Sequence, residues 1–241
     1  MRLDKFLASF SDYSRKEIKA VLKEKRVTVG GSVLTDPSAH INPETDIITL
    51  DGEPLIYKPY VYFMMNKPAG VITATEDKRS RTVMEFVPQE FLRYEPFPVG
   101  RLDKDTEGLL IFTNDGQLAH RLLSPNKKIP KVYLATAERE ISEKDIKAFR
   151  KGIYIEEDGY TTLPGDLKVI SEGENPVCEV TIYEGKFHQV KRMFEKCGNR
   201  VLYLKRIIFA GVALDAGLEA GQVRELTEKE ETVLRSCFKN E

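Results

Sequence analysis

Cysteine, histidine and long apolar runs are all scarce in this chain of 241 residues, and each scarcity closes off a class of function. The three cysteines, Cys178, Cys197 and Cys237, are odd in number and widely spaced. Neither a disulfide framework nor a zinc site is therefore expected, and the expected compartment is a reducing cytosol. The three histidines, His40, His120 and His188, are scattered. No H-E-x-x-H helix, G-x-S-x-G elbow or G-x-x-x-x-G-K-[ST] loop occurs, which weakens zinc chemistry, serine hydrolysis and P-loop phosphoryl transfer alike. The longest apolar run, Ile207 to Leu214, is far shorter than the roughly 18 residues of a membrane span. Arg2, Asp4 and Lys5 stand where a signal peptide would need an unbroken apolar core, so a cytoplasmic protein with no membrane partner is expected.

Net charge is also nearly absent: 37 Lys and Arg against 38 Asp and Glu leave −1, which excludes a histone-like polycation. The balance hides local excess. Residues 1–26 carry 8 basic and 4 acidic side chains, a sum of +4, and residues 185–206 carry 7 basic and 1 acidic, a sum of +6. One such island reads as a solvated face; two favour a polyanion as partner.

The chain is long enough for one or two domains with a sizeable core. Ser14-Arg15-Lys16-Glu17 has the form of a capping box and predicts a helix over 14–25 with a basic polar face. Val27 to Leu34 alternates around Gly30-Gly31, and residues 46–50 form another short strand, so the N-terminal part is a small α/β unit. Turn residues from Asp51 to Pro59 place the boundary near residue 55, giving domains 1–55 and 56–241. Beyond it, strands are predicted at 61–65, 109–112, 131–135 and 177–183, and helices at 117–123, 142–151, 188–197 and 228–238. The order argues for an α+β fold with a mixed, mostly antiparallel sheet.

The most unusual segment runs from Pro98 to Gly116, where a highly charged loop leads straight into an apolar strand. Asp103-x-Asp105-x-Glu107-Gly108 imitates the start of a calcium loop. The position of the closing bidentate Glu is Asn114, however, and Ile111 stands where another oxygen is needed, so no metal is expected. The chemistry available is that of a carboxylate, a tyrosine and basic residues, which suits nucleophilic or acid–base work on a polyanion.

Gly100-Arg101-Leu102-Asp103-x-x-Thr106-x-Gly108-Leu109-Leu110 resembles the signature loop of RNA pseudouridine synthases, and of their small-subunit rRNA branch in particular. Asn66-Lys67-Pro68-Ala69-Gly70, Lys131-Val132-Tyr133-Leu134 and Glu184 to Phe194 follow in that family's order. Residues 1 to about 52 resemble an S4-type RNA-binding domain, so the likeness covers nearly the whole chain.

The resemblance implies that Asp103 is the catalytic carboxylate, that Tyr133 packs against the target base, and that Lys191 pairs with the aspartate. A neighbouring cation favours the ionised form of a carboxylate. Attack at C1′, attack at C6 and assistance to C2′ proton loss all remain open, and no cofactor is implied. Arg101 is expected to fill the space left by an extruded uridine or to hold a flanking phosphate. Arg192, one residue along the helix from Lys191, points elsewhere and is expected on phosphate. Lys186, His188 and Gln189, together with Arg2, Arg15, Lys16 and Lys19 of the N-terminal domain, complete the expected RNA contacts. The implied partner is 16S rRNA in an assembling small subunit, bound by a monomer. Many relatives outside this branch carry Arg where this chain has Lys191. The family's Val after the tyrosine pattern is Ala135 here. A large-subunit rRNA enzyme and a non-catalytic ribosome-assembly protein are the alternatives.

Overall fold

The Glu17 N–H donates to the Ser14 hydroxyl at 3.4 Å and the Ser14 N–H donates to the Glu17 carboxylate at 2.8 Å, so two of the helix's orphan donors are satisfied reciprocally. That capping box opens α2 (Arg15–Lys23), which packs Ile18, Val21 and Leu22 against Leu3, Phe6 and Leu7 of α1 (Leu3–Phe10). Four short strands close this small core: β1 (Val27–Val29), β2 (Ser32–Val33), β3 (Ile48–Leu50) and β4 (Glu53–Pro54), antiparallel in the order β2-β1-β3-β4. The computed structural model describes residues 1–237, and its first compact unit ends at Tyr60. The division falls beyond residue 55 because Leu55 and Tyr57 pack onto the N-terminal core.

The second unit, from Val61 onward, contains β5 (Tyr62–Lys67), α3 (Gln89–Leu92), β6 (Phe97–Pro98), β7 (Glu107–Thr113), α4 (Gly116–Leu123), β8 (Lys131–Ala137) and α5 (Glu143–Lys151). It continues through β9 (Tyr154–Ile155), β10 (Tyr160–Thr161), β11 (Asp166–Ser171), β12 (Val177–Ile182) and α6 (Gln189–Lys196). β13 (Val201–Phe209), β14 (Val212–Ala213), β15 (Val223–Glu225) and α7 (Glu228–Ser236) follow. The last of these was expected to reach Phe238, which lies outside the described residues. The main sheet runs β11-β12-β8-β13-β7-β5-β15 and is antiparallel at every step except β13 beside β7. The fold is thus α+β with a mixed, mostly antiparallel sheet.

Both faces of that sheet are covered, which explains why β5 and β7 read as continuous apolar runs rather than alternating ones. One face carries Phe63, Met65, Leu110 and Phe112 under α5 and α6, with Phe149, Val190, Met193 and Phe194 facing inward. The other carries Met64, Leu109, Ile111 and Phe209 under α4 and α7. The sequence reading missed β13, the strand on which the sheet changes sense. Lys205 and Arg206 interrupt its apolar pattern, yet they lie inside the strand and Arg206 is buried.

Where β7 meets β13, Gly108 lies opposite Arg206 with φ of +99°. A Cβ there would overlap the Arg206 carbonyl oxygen and come within 2.9 Å of its nitrogen, so neither the dihedral nor the space accepts a side chain. Gly108→Ala should cost about 3 kcal/mol or more of stability, read as a lowered midpoint in chemical denaturation of the full chain. A variant within 1 kcal/mol of wild type, roughly the cost of an ordinary substitution, would contradict this close approach.

Candidate active site

The loop between β6 and β7 carries Asp103, and it is fixed from beneath by the segment that follows β5. Lys67 ends β5 fully buried, and its ammonium donates to the carbonyl oxygens of Pro68 at 3.0 Å, Lys104 at 3.3 Å and Thr106 at 2.9 Å. The Gly70 N–H donates to the same Lys104 carbonyl at 2.7 Å. Thr73 grips the residue before Asp103 from both sides, its hydroxyl donating to the Leu102 carbonyl at 2.9 Å and accepting from the Leu102 N–H at 3.1 Å. Burial pushes the Lys67 ammonium down to about 8, while Asp105, Asp103 and Glu107 pull it upward. The motif around Lys67 is thus the platform of the loop.

The Asp103 carboxylate, about a quarter exposed, lies 3.2 Å from the Lys191 ammonium and 3.6 Å from Nε2 of His188. Lys191 also donates to Asp105 at 2.6 Å, and this hydrogen bond holds the Asp105 carboxyl below its ordinary range. The two loop carboxylates therefore converge on one ammonium. Lys191 lies in the first turn of α6, whose entry is set by His188 in the left-handed conformation, φ 48°. Gln189 fixes that entry too. Its amide oxygen accepts from the Lys186 N–H and its amide nitrogen donates to Glu184, both at 3.0 Å, and the side chain is buried.

Tyr133 sits on β8 between Val180 of β12 and Arg206 of β13. With Leu102, Ile182, Val190 and Leu204 it walls a narrow cavity of about 60 Å³ that has the Asp103 carboxylate at its edge. Thr106 lines the same cavity, and its buried hydroxyl has no hydrogen-bond partner among the described residues. A flat, apolar ring with polar edge atoms suits such a site, since an aromatic face and branched side chains grip the ring while Thr106 and Asp103 meet its periphery.

Of the residues expected from the sequence, Arg101, Asp103, Tyr133, Lys186, His188 and Gln189 all line this cavity, and Lys191 contacts its carboxylate. Arg192 does not join them. One residue further along α6, it pairs with Asp158 at 2.5 Å and Glu157 at 3.4 Å, so the phosphate contact expected of it meets a side chain already engaged by the 156–158 turn. Gln189 is a bracket between β12 and α6 rather than an exposed contact. In the N-terminal unit, Arg2, Arg15, Lys16 and Lys19, joined by Lys5, line one groove of about 760 Å³, where Arg2 also pairs with Asp4 at 2.7 Å. Sequence reasoning missed the roles of Lys67, Thr73, Leu204 and Arg206. The available signal was a cation at the end of an apolar strand for Lys67 and an adjacent pair of cations inside one, Lys205 and Arg206, for Arg206.

Residues 61–196 match the family model for RNA pseudouridylate synthase, and residues 1–47 match that for the S4 domain. An uncharacterised RNA pseudouridine synthase of Bacillus subtilis (strain 168) is 50% identical over 231 residues, covering 95% of this chain and 96% of the relative. Ribosomal small subunit pseudouridine synthase A of Escherichia coli (strain K12) is 39% identical over 231 residues, covering 95% and 98%. A crystal structure of a pseudouridylate synthase aligns with TM-score 0.68 and 34% identity, over 97% of this chain and 99% of that one. A loop carboxylate held at the edge of a tyrosine-walled cavity and these matches across nearly the full length agree, and the chain belongs to the RNA pseudouridylate synthase family, with an S4 domain at its N-terminus.

Proposed function

We propose that this enzyme converts a uridine of small-subunit ribosomal RNA to pseudouridine, with Asp103 as the acting carboxylate, Tyr133 against the base and Lys191 holding the carboxylate. The observation that carries the reading is the Asp103 carboxylate at the rim of a cavity walled by Tyr133, Ile182, Val190 and Leu204. Isomerisation breaks N1–C1′, turns the detached uracil and joins C5 to C1′; the C5 proton leaves to solvent and N1 takes one up. A carboxylate flanked by an ammonium can attack C1′ or C6 or assist loss of the C2′ proton, and apolar walls keep competing water from the separated pieces. A base within a stacked helix cannot reach such a cavity, so the uridine enters extruded, at a cost of a few kcal/mol. Support for the small subunit comes from relatives of Escherichia coli and Yersinia pestis named for it, the latter 40% identical over 232 residues.

The groove on the N-terminal unit fits the positioning half of the task. Phosphate contacts fix where a protein sits on RNA without reading its sequence, and Arg15, Lys16 and Lys19 on one helix supply donors at that groove. Among the described residues no helix is long and apolar enough to cross a membrane.

Asp103→Asn should abolish tritium release from C5-labelled uridine in rRNA, by about 10³-fold or more, with RNA affinity within about threefold of wild type, since shape is kept and charge removed. Turnover within tenfold of wild type would refute the assignment. Lys67→Met removes the three carbonyl contacts under the loop and should lower kcat about 100-fold with little change in RNA affinity, the expected result of displacing Asp103 by about 1 Å. Unchanged kcat in a folded variant would mean that the loop holds its shape without the ammonium. Replacing Arg15 and Lys19 together by Gln should weaken rRNA binding and flatten the slope of log K against log salt by roughly 0.7 to 0.9 per lost phosphate contact. An unaltered slope would remove the groove from the interface.

A further inference from the structure

Tyr133 also borders a second cavity, of about 370 Å³, whose other walls include Lys131, Arg206, Phe209, Ser124 and Tyr183. Two cations lie at its base. Arg206 is 2% exposed; its Nε donates to the Leu109 carbonyl at 2.8 Å, its guanidinium lies 4.9 Å from the Phe209 ring centre, and its Nη2 is buried with no hydrogen-bond partner among the described residues. Lys131 is 9% exposed, donates to the Ile129 carbonyl at 2.8 Å and lies 5.7 Å from the same ring. Among the described residues neither has a carboxylate within ion-pair distance. The carboxylate bordering this cavity, Glu184, already accepts hydrogen bonds from the Leu163 N–H at 2.9 Å and the Gln189 amide at 3.0 Å.

A buried guanidinium and a buried ammonium side by side repel each other and have lost their water, a costly arrangement unless an anion joins them. Burial and Arg206 together push the Lys131 ammonium down to about 8, against a partial upward pull from Glu184. Both groups donate and neither accepts, so their complement is a group made only of acceptors and carrying negative charge. In an enzyme whose substrate is RNA that group is a phosphodiester, and the cavity is large enough for a phosphate together with part of its nucleotide. We propose that Arg206 and Lys131 form a phosphate-binding subsite for the phosphodiester adjacent to the uridine in the Asp103 cavity. Because Tyr133 is a wall common to both cavities, a phosphate drawn to Arg206 brings the neighbouring ribose to the carboxylate side of the ring. The subsite therefore indexes the backbone and helps to hold the base extruded. This rests on the Asp103 cavity as the uridine site.

Titration of the full-length protein with uridine 3′,5′-bisphosphate and with uridine tests the proposal without reading turnover, so its outcome is separate from whether Asp103 does the chemistry. The bisphosphate should bind at least about tenfold more tightly than uridine, as charge-assisted hydrogen bonds predict. That preference should persist in Asp103→Asn and Lys131→Arg, and fall at least about fivefold in Lys131→Met. Equal affinities in wild type, or an undiminished preference in folded Lys131→Met, would overturn the subsite. Should Lys131→Met fail to fold, a crystal structure of the wild-type bisphosphate complex decides. A phosphoryl oxygen within about 3.2 Å of Arg206 Nη2 is expected. A phosphate held by Arg101 and Lys186 alone, with none at Arg206, would overturn it.

Discussion

The site depends on one buried ammonium. Lys67 gives up water at the end of β5 and takes in exchange three carbonyl oxygens, two of them from the turn that follows Asp103. An ammonium has three protons and no lone pair, so three acceptors saturate it, and their directions fix where residues 104 and 106 can lie. The cost of burying charge is visible in the depressed Lys67 value of about 8, and the carboxylates of Asp105, Asp103 and Glu107 offset part of it. The Asp103 loop and its support are thereby coupled electrostatically as well as by hydrogen bonds. Threonine 73 and Gly70 complete a frame that leaves Asp103 little freedom of position while its carboxylate stays accessible.

Charge counted along the chain and charge counted in space differ here, and the difference sorts the basic residues. The segment 185–206 sums to +6, yet Arg192 and Lys196 are paired with Glu156, Glu157 and Asp158, acids supplied by a turn some 35 residues away in sequence. Lys191 is paired as well, but with Asp103 and Asp105 of the loop that precedes β7. Successive helical residues point about 100° apart, so Lys191 and Arg192 serve two different carboxylate groups from adjacent positions. Lys186, Arg101, Arg206 and Lys131 instead border one cavity beside Tyr133, and the exposed Phe187 ring stacks on His188 at 3.8 Å.

Much of this was legible in the sequence because local physics determined it. The capping box at Ser14 starts α2, the Gly30-Gly31 turn joins β1 to β2, and the apolar runs at 61–65 and 109–112 mark β5 and β7, the doubly covered centre of the sheet. The constellation of Asp103, Tyr133 and Lys191 was legible only through resemblance, since spacings of 30 and 58 residues carry no geometric information by themselves. What escaped was set by tertiary contacts. β13 places two cations within an apolar strand, a pattern that period-two reasoning discards, and it is tolerated because Arg206 finds the Leu109 carbonyl and the Phe209 face. α1 escaped too, since its N-cap residue Arg2 makes no side-chain cap and the helix relies on the apolar face of α2.

Gly108 and Arg206 show how the two halves of the site are locked together. The signature loop ends where β7 runs parallel to β13, and the missing side chain at Gly108 lets the Arg206 backbone approach closely enough to pair. That approach brings β13 under the loop, so that Leu204 faces the Asp103 cavity while Arg206, two residues on, reaches the other side of Tyr133. Residues two apart on a regular strand share a face. Leu204 and Arg206 do so, pairing in unbroken register with Ala135 and Tyr133, and they border two neighbouring cavities that have Tyr133 as a common wall. A glycine fixed by close packing thus supplies geometry that neither the charge pattern nor the apolar pattern of β13 encodes. The same strand consequently contributes an apolar wall to the proposed uridine site and a cation to the cavity beside it.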